Sequence, residues 1–157
     1  MTSLNLANNN LLAKAIVDGW KASKSLKSIC GAISAELDLS GQQLGECGDI
    51  PVVCAELKNN RALVKFDVSQ NNLAKEGTKA LAEALNGNQI MAELNLAENS
   101  MGKNGAMDIA KTIPTMGAMT SLDISNNELY AEGAKHVAEA IKGHVSCDLF
   151  GTTLSLI

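Results

Sequence analysis

LVKFDVSQNNLAKEGTKALAEAL, residues Leu63–Leu85, carries two hydrophobic periods one after the other. In Val64–Val68, Phe66 and Val68 alternate with Lys65 and Asp67, which is strand spacing. In Gly77–Leu85, Leu81, Ala82 and Leu85 recur at helical spacing around Lys79 and Glu83. The unit is therefore a strand, a turn and a helix. It returns as MAELNLAENSMGKNGAMDIAKTI, Met91–Ile113, and as MTSLDISNNELYAEGAKHVAEAI, Met119–Ile141. A step of 28 residues carries Phe66 to Leu94 to Leu122, Asn71 to Asn99 to Asn127, and Gly77 to Gly105 to Gly133. One unit cannot bury both of its apolar faces, whereas stacked units can.

The pattern L-x-x-L-x-L-x-x-N-x-L, followed by E-G-x-x-x-x-A-E-A-L, resembles the leucine-rich repeat and looks like its ribonuclease-inhibitor-like subclass. The resemblance implies an α/β leucine-rich repeat solenoid. It would be a short arc with a parallel β-sheet on the concave side and α-helices on the convex side. The expected layout is a single domain over 1–157. Its repeats span 1–33, 34–62, 63–90, 91–118 and 119–146, followed by an irregular cap over 147–157.

The first unit, MTSLNLANNNL, starts the chain, and a helix over Leu12–Ser23 with Trp20 follows. Lys24 and Lys27 lie in a serine-rich surface loop that lengthens the first step. In the second unit a helix is expected over Cys47–Leu57, with Pro51 in its first turn, where a missing N–H costs nothing. At the end, Cys147 and Phe150 keep the 28-residue step from Met119 and Leu122. Leu154, Leu156 and Ile157 then either fold back over the last layer or form an edge that pairs with another chain.

Asn9, Gln42, Asn71, Asn99 and Asn127 occupy one column, where the chain leaves the strand. An amide offers donor and acceptor groups together, so this column reads as a structural ladder satisfying coil backbone. Gly77, Gly105 and Gly133 read as points of close helix packing.

The 157 residues suffice for one domain, and 46% hydrophobic with 19% charged residues suits a globular protein. Aromatics are 3%, so the core is aliphatic. A net charge of −4 and a single arginine, Arg61, argue against nucleic acid, which needs a basic stripe. No apolar run approaches the ~18 residues that span a bilayer. No secretory signal opens the chain, so a cytoplasmic, reducing setting is expected. Cys30, Cys47, Cys54 and Cys147 form no C-x-x-C pair and read as small apolar residues. No metal, cofactor or catalytic constellation is expected; His136 reads as a half-exposed helix residue and His144 follows a helix stop at Gly143.

Side chains alternate across a strand, so the residues between the leucines face one side. The resemblance implies that partners bind on this concave side. Its columns are Ser3, Glu36, Lys65, Glu93 and Ser121; Asn5, Asp38, Asp67, Asn95 and Asp123; and Ala7, Ser40, Ser69, Ala97 and Ser125. Asn8, Gly41, Gln70, Glu98 and Asn126 line the rim. Glu36, Asp38, Asp67, Glu93, Glu98 and Asp123 outnumber Lys65, which points to a protein partner with a basic surface.

The expected function is a non-enzymatic protein-interaction module or a small scaffold subunit. An inhibitor or regulator of an enzyme is the alternative, since the resemblance extends to ribonuclease inhibitor. The repeats are also similar to those of the Ran GTPase-activating protein. Here, however, Arg61 precedes a strand, which leaves little to stabilise a transferring phosphoryl group.

Overall fold

The computed structural model describes residues 35–47, 49–142, 144 and 153–155. Asn9, Trp20 and the rest of the first expected repeat lie outside these residues, as do Cys147, Phe150, Leu156 and Ile157. The elements run β1 (Glu36–Asp38), α1 (Leu44–Cys47), α2 (Ile50–Asn59), β2 (Lys65–Asp67), α3 (Ala74–Leu85), β3 (Glu93–Asn95), α4 (Gly102–Thr112), a 3-10 turn (Ile113–Thr115), β4 (Ser121–Asp123), α5 (Tyr130–Lys142) and β5 (Thr153–Ser155). The five strands form one parallel sheet in sequence order, and each helix packs on the next from α2 to α5. This is a leucine-rich repeat solenoid.

The register follows the sequence columns. Leu37 pairs with Phe66, Phe66 with Leu94, and Leu94 with Leu122. These residues and the next apolar column, Leu39, Val68, Leu96 and Ile124, share one buried core with Leu81, Leu85, Ile109 and Val137 of the helices and Ile113 of the 3-10 turn. Each strand spans only three residues, but backbone pairing continues past it. Leu39, Val68 and Leu96 donate N–H to the carbonyls of Asp67, Asn95 and Asp123 at 2.8, 3.0 and 2.7 Å.

Beyond the strands the asparagines take over. Asn99 is fully buried. Its Nδ2 donates to Val68 O in the preceding layer (2.9 Å) and to Leu96 O and Ala97 O in its own (3.0 and 3.1 Å). Its Oδ1 accepts Asn71 N–H at 3.0 Å and Leu73 N–H at 3.4 Å. Asn127 repeats the pattern one layer on, donating to Leu96, Ile124 and Ser125 carbonyls and accepting Asn99 N–H at 2.8 Å. Asn71 donates to Leu39, Val68 and Ser69 carbonyls and accepts Leu44 N–H at 3.2 Å. Gln42 in this column is half-buried.

The coil that leads into each helix is left-handed at every second residue. The set is Gln70, Asn72 and Ala74; then Glu98, Ser100 and Gly102; then Asn126, Glu128 and Tyr130, all with φ between 50° and 61°. A non-glycine residue there costs roughly 1–2 kcal/mol, so the interlayer bonds must hold this path. Ala74 and Gly102 N–H groups donate to Asn99 and Asn127 carbonyls at 3.0 and 2.9 Å.

The glycine column marks where helices touch. A Cβ on Gly105 would lie 3.2 Å from Thr78 Cγ2 on α3, and one on Gly133 would lie 3.0 Å from Ala106 Cβ on α4. Layers of constant thickness leave no room for a larger residue.

Two expectations need correction. The helix of the second repeat is not continuous from Cys47: α1 ends there and α2 starts at Ile50, with Val52 and Val53 N–H groups bonded to Asp49 O. Pro51 does sit in the first turn of α2, where its missing N–H leaves no helix bond unmade. At the far end, Leu154, not Phe150, pairs with Leu122. The last step is thus 32 residues, longer than the 28-residue repeat would give. Thr153–Ser155 continues the chain's own sheet in parallel and satisfies the outer edge of β4.

Replacing Asn99 by Ala removes five hydrogen bonds inside the core. It is expected to destabilise the fold by about 3 kcal/mol or more, read as a lower urea midpoint. An unchanged midpoint would show that the ladder does not hold the layers.

Candidate protein-interaction face

The parallel register places the concave columns side by side. Glu36 pairs with Lys65, Lys65 with Glu93, and Glu93 with Ser121. Asp38 pairs with Asp67, Asp67 with Asn95, and Asn95 with Asp123. Neighbouring strands lie ~4.8 Å apart, so five carboxylates and one ammonium share one small surface. Lys65, Asp67, Glu93, Asn95, Ser121 and Asp123 line a shallow hollow over Phe66 and Leu94.

In the first column the charges alternate. Lys65 Nζ bonds Glu93 Oε2 at 3.2 Å. The hydrogen bond to Glu93 and the negative charges of Glu93, Glu36 and Asp67 raise the Lys65 pKa above its usual value. Both side chains are about half exposed, so the bridge is screened and orders the side chains more than it stabilises the fold.

The second column has a different duty. Each residue accepts the N–H two positions on: Asp38 from Ser40 (2.9 Å), Asp67 from Ser69 (2.9 Å), Asn95 from Ala97 (3.0 Å) and Asp123 from Ser125 (3.0 Å). The hydroxyls of Ser69 and Ser125 donate to the same Oδ1 atoms at 2.7 Å. Asn95 Nδ2 bridges sideways to Asp67 Oδ2 at 2.8 Å. Asp and Asn thus stop each strand and start its turn. The backbone bond from Ser40, with its side-chain bond, holds the Asp38 carboxyl below its ordinary range.

The third column is largely withdrawn from the surface, with Ser40 half-buried. Ser69, Ala97 and Ser125 are buried, because each turn has already begun at these positions. The rim residues Gly41, Gln70, Glu98 and Asn126 are exposed, and Gln70 Nε2 bonds Glu98 Oε1 at 3.3 Å. Leu154 lies in β5, the outermost described strand.

The convex grooves carry both signs of charge. On the convex side the groove between α3 and α4 is lined by Lys79, Glu83, Asp108 and Lys111, and Lys111 Nζ bonds Asp108 Oδ1 at 2.8 Å. Cys54 is buried there between α2 and α3, and burial pushes its thiol up to about 11, which removes it as a nucleophile. His136 is half-exposed. His144 is buried, with Nε2 2.6 Å from Met116 O. Among the described residues no three His, Cys, Asp or Glu side chains gather to hold a metal ion. No helix among them is long and apolar enough to cross a membrane.

One surface feature escaped the sequence columns. Tyr130 is 69% exposed and has φ +54°. Its column mates Ala74 and Gly102 are small, and that mismatch was the available signal.

A leucine-rich repeat family model matches residues 59–82 and 119–138. No curated protein gives a significant sequence match. Among solved structures, one similar chain is leiomodin-1 actin-binding site 2, at TM-score 0.68 and 16% identity, covering 78% of this chain and 70% of that one. Another is the tropomodulin C-terminal domain of Caenorhabditis elegans, at TM-score 0.68 and 10% identity, covering 94% and 83%. These likenesses concern the fold alone, and with the matched repeats they agree with the leucine-rich repeat solenoid described above.

The depressed Asp38 pKa has a signed consequence. A carboxyl whose folded value lies below its unfolded value adds stability above the unfolded pKa, and that stability is lost as pH falls through the folded one. Ser40→Ala removes one of the two bonds responsible, so Asp38 should then titrate at higher pH. An NMR pH titration of its carboxyl carbon checks this; no movement would assign the shift to the backbone bond alone.

Proposed function

We propose that the chain is a non-enzymatic protein-interaction module whose concave sheet takes a basic segment of a protein partner. The observation that carries this reading is the concave row of carboxylates, held by turn bonds and confined to one face. A partner's lysines or arginines would meet fixed charges, so little side-chain entropy is lost on binding. Electrostatic complementarity of this kind speeds encounter and selects partners more than it adds raw affinity.

The 28-residue strand–turn–helix step also favours the ribonuclease-inhibitor-like type of repeat. Binding of a protein, whether as a scaffold or as a regulator of an enzyme, is the common ground of these readings. The leiomodin-1 domain is described as an actin-binding site, which makes actin the first named protein to test.

The decisive variant is Asp38→Asn, Asp67→Asn, Asp123→Asn. Asparagine keeps the Oδ1 that takes each turn N–H, as Asn95 does; at Asp67 the Oδ2 that accepts Asn95 Nδ2 is replaced as well, so circular dichroism and the urea midpoint check that the fold is kept while three charges leave. The probes are actin and a fluorescent arginine-rich peptide, titrated at rising salt. Wild type should bind the peptide with salt-dependent affinity, and the triple variant should bind about tenfold or more weakly. Equal binding by both proteins would remove the concave face as the site.

A further inference from the structure

Among the described residues, Tyr130 and Val64 are the exposed large hydrophobic side chains, at 69% and 40%. Tyr130 is also the chain's single tyrosine. Its backbone lies in the left-handed region, where a bulky side chain is disfavoured and glycine is not. Gly102 holds the equivalent place one repeat earlier, at φ +61°. Glycine therefore meets the turn's need with less strain, and at this exposure the ring packs on little of its own chain. A strained, exposed aromatic at a position suited to glycine points to a role outside folding.

Its surroundings indicate what it meets. Tyr130 follows β4 and the exposed rim residue Asn126, and Glu128 and Glu132 flank it in sequence. The same turn one layer back exposes Glu98. A segment that continued past the C-terminal ends of β3 and β4 would cross these turns, which lie between those strands and the helices that follow. Glu132 is already engaged by Lys103 at 2.9 Å, whereas Glu128 stands exposed on the turn that ends at Tyr130.

We propose that Tyr130 anchors the partner by stacking an arginine of the basic segment on its ring as that segment leaves the concave face. The inference rests on the proposed function above and adds a specificity-determining residue to it. Guanidinium on an exposed phenol ring is an attractive arrangement, and arginine is favoured over lysine because its planar group stacks. Tyrosine and arginine are the side-chain types that most often dominate protein contacts.

The single tyrosine supplies its own reporter. Replaced by 3-fluorotyrosine, it gives one fluorine resonance, to be followed during titration with the arginine-rich peptide and with its lysine counterpart. The resonance should move with the arginine peptide and move less with the lysine one. Tyr130→Gly should raise the urea midpoint, because strain is relieved, yet weaken arginine-peptide binding about tenfold. Tyr130→Phe should keep the binding, since the ring remains. If Tyr130→Gly binds like wild type while the three-aspartate variant does not, Tyr130 is no anchor and the concave reading stands. If neither variant changes binding, both fall. A fluorine resonance indifferent to both peptides also overturns the anchor.

Discussion

The buried asparagine column is the constraint on which the solenoid rests. Strands of three residues offer few ladder bonds, and the coil beyond them would leave carbonyls and N–H groups unpaired inside the core. Each of Asn71, Asn99 and Asn127 answers three carbonyls with one amide nitrogen, one of them a layer back. Each amide oxygen receives a backbone N–H from the preceding layer. The side chain thus works as backbone, and because it bonds to two layers it fixes their spacing. Hydrophobic burial supplies the larger driving force but is non-directional; the amides set where each layer stops.

Much else follows from that spacing. With layers locked at one thickness, helix contacts must be equally thin, which explains Gly105 against Thr78 and Gly133 against Ala106. It also explains why the left-handed turn survives residues as unlike as Ala74, Gly102 and Tyr130. The path is imposed by bonds from outside the turn, so the local preference of any one residue is overruled.

The fold was legible in the sequence because repetition multiplies weak signals. Phe66, Leu94 and Leu122 in register, the amide column and the glycine column each predict one another, and the structure pairs them as expected. What stayed hidden lies where repetition fails. The longer step to Leu154 depends on where an extra stretch is accommodated, and no column constrains that. The break before Ile50 comes from an irregular repeat. Burial of Ser69, Ala97 and Ser125 was missed for another reason: alternation assumes a strand, and Asp67, Asn95 and Asp123 before them have already ended it. Acidity of the concave face was readable from composition, but its division of labour was not. That Lys65 sits between Glu36 and Glu93, while Asp38 and Asp67 hold turns, is a matter of atoms.

This division bears on how function can be carried by such a scaffold. An aspartate column that merely closes turns would serve as well with asparagine, and Asn95 shows that it does. Taking the turn N–H does not by itself call for a charge, although the Ser40 bonds favour the Asp38 carboxylate and Asp67 also accepts Asn95 Nδ2. The same logic isolates Lys65, the lone cation of its face, and Tyr130, a bulky ring where the other repeats carry Ala74 and Gly102. In a repeat protein the columns account for stability, so a residue that departs from its column without structural gain is where recognition is to be sought. Here those departures gather on the concave sheet and on the turns at its strand ends. They join a field of fixed negative charge to one exposed aromatic ring, and that combination suits an arginine-bearing partner better than a merely cationic one.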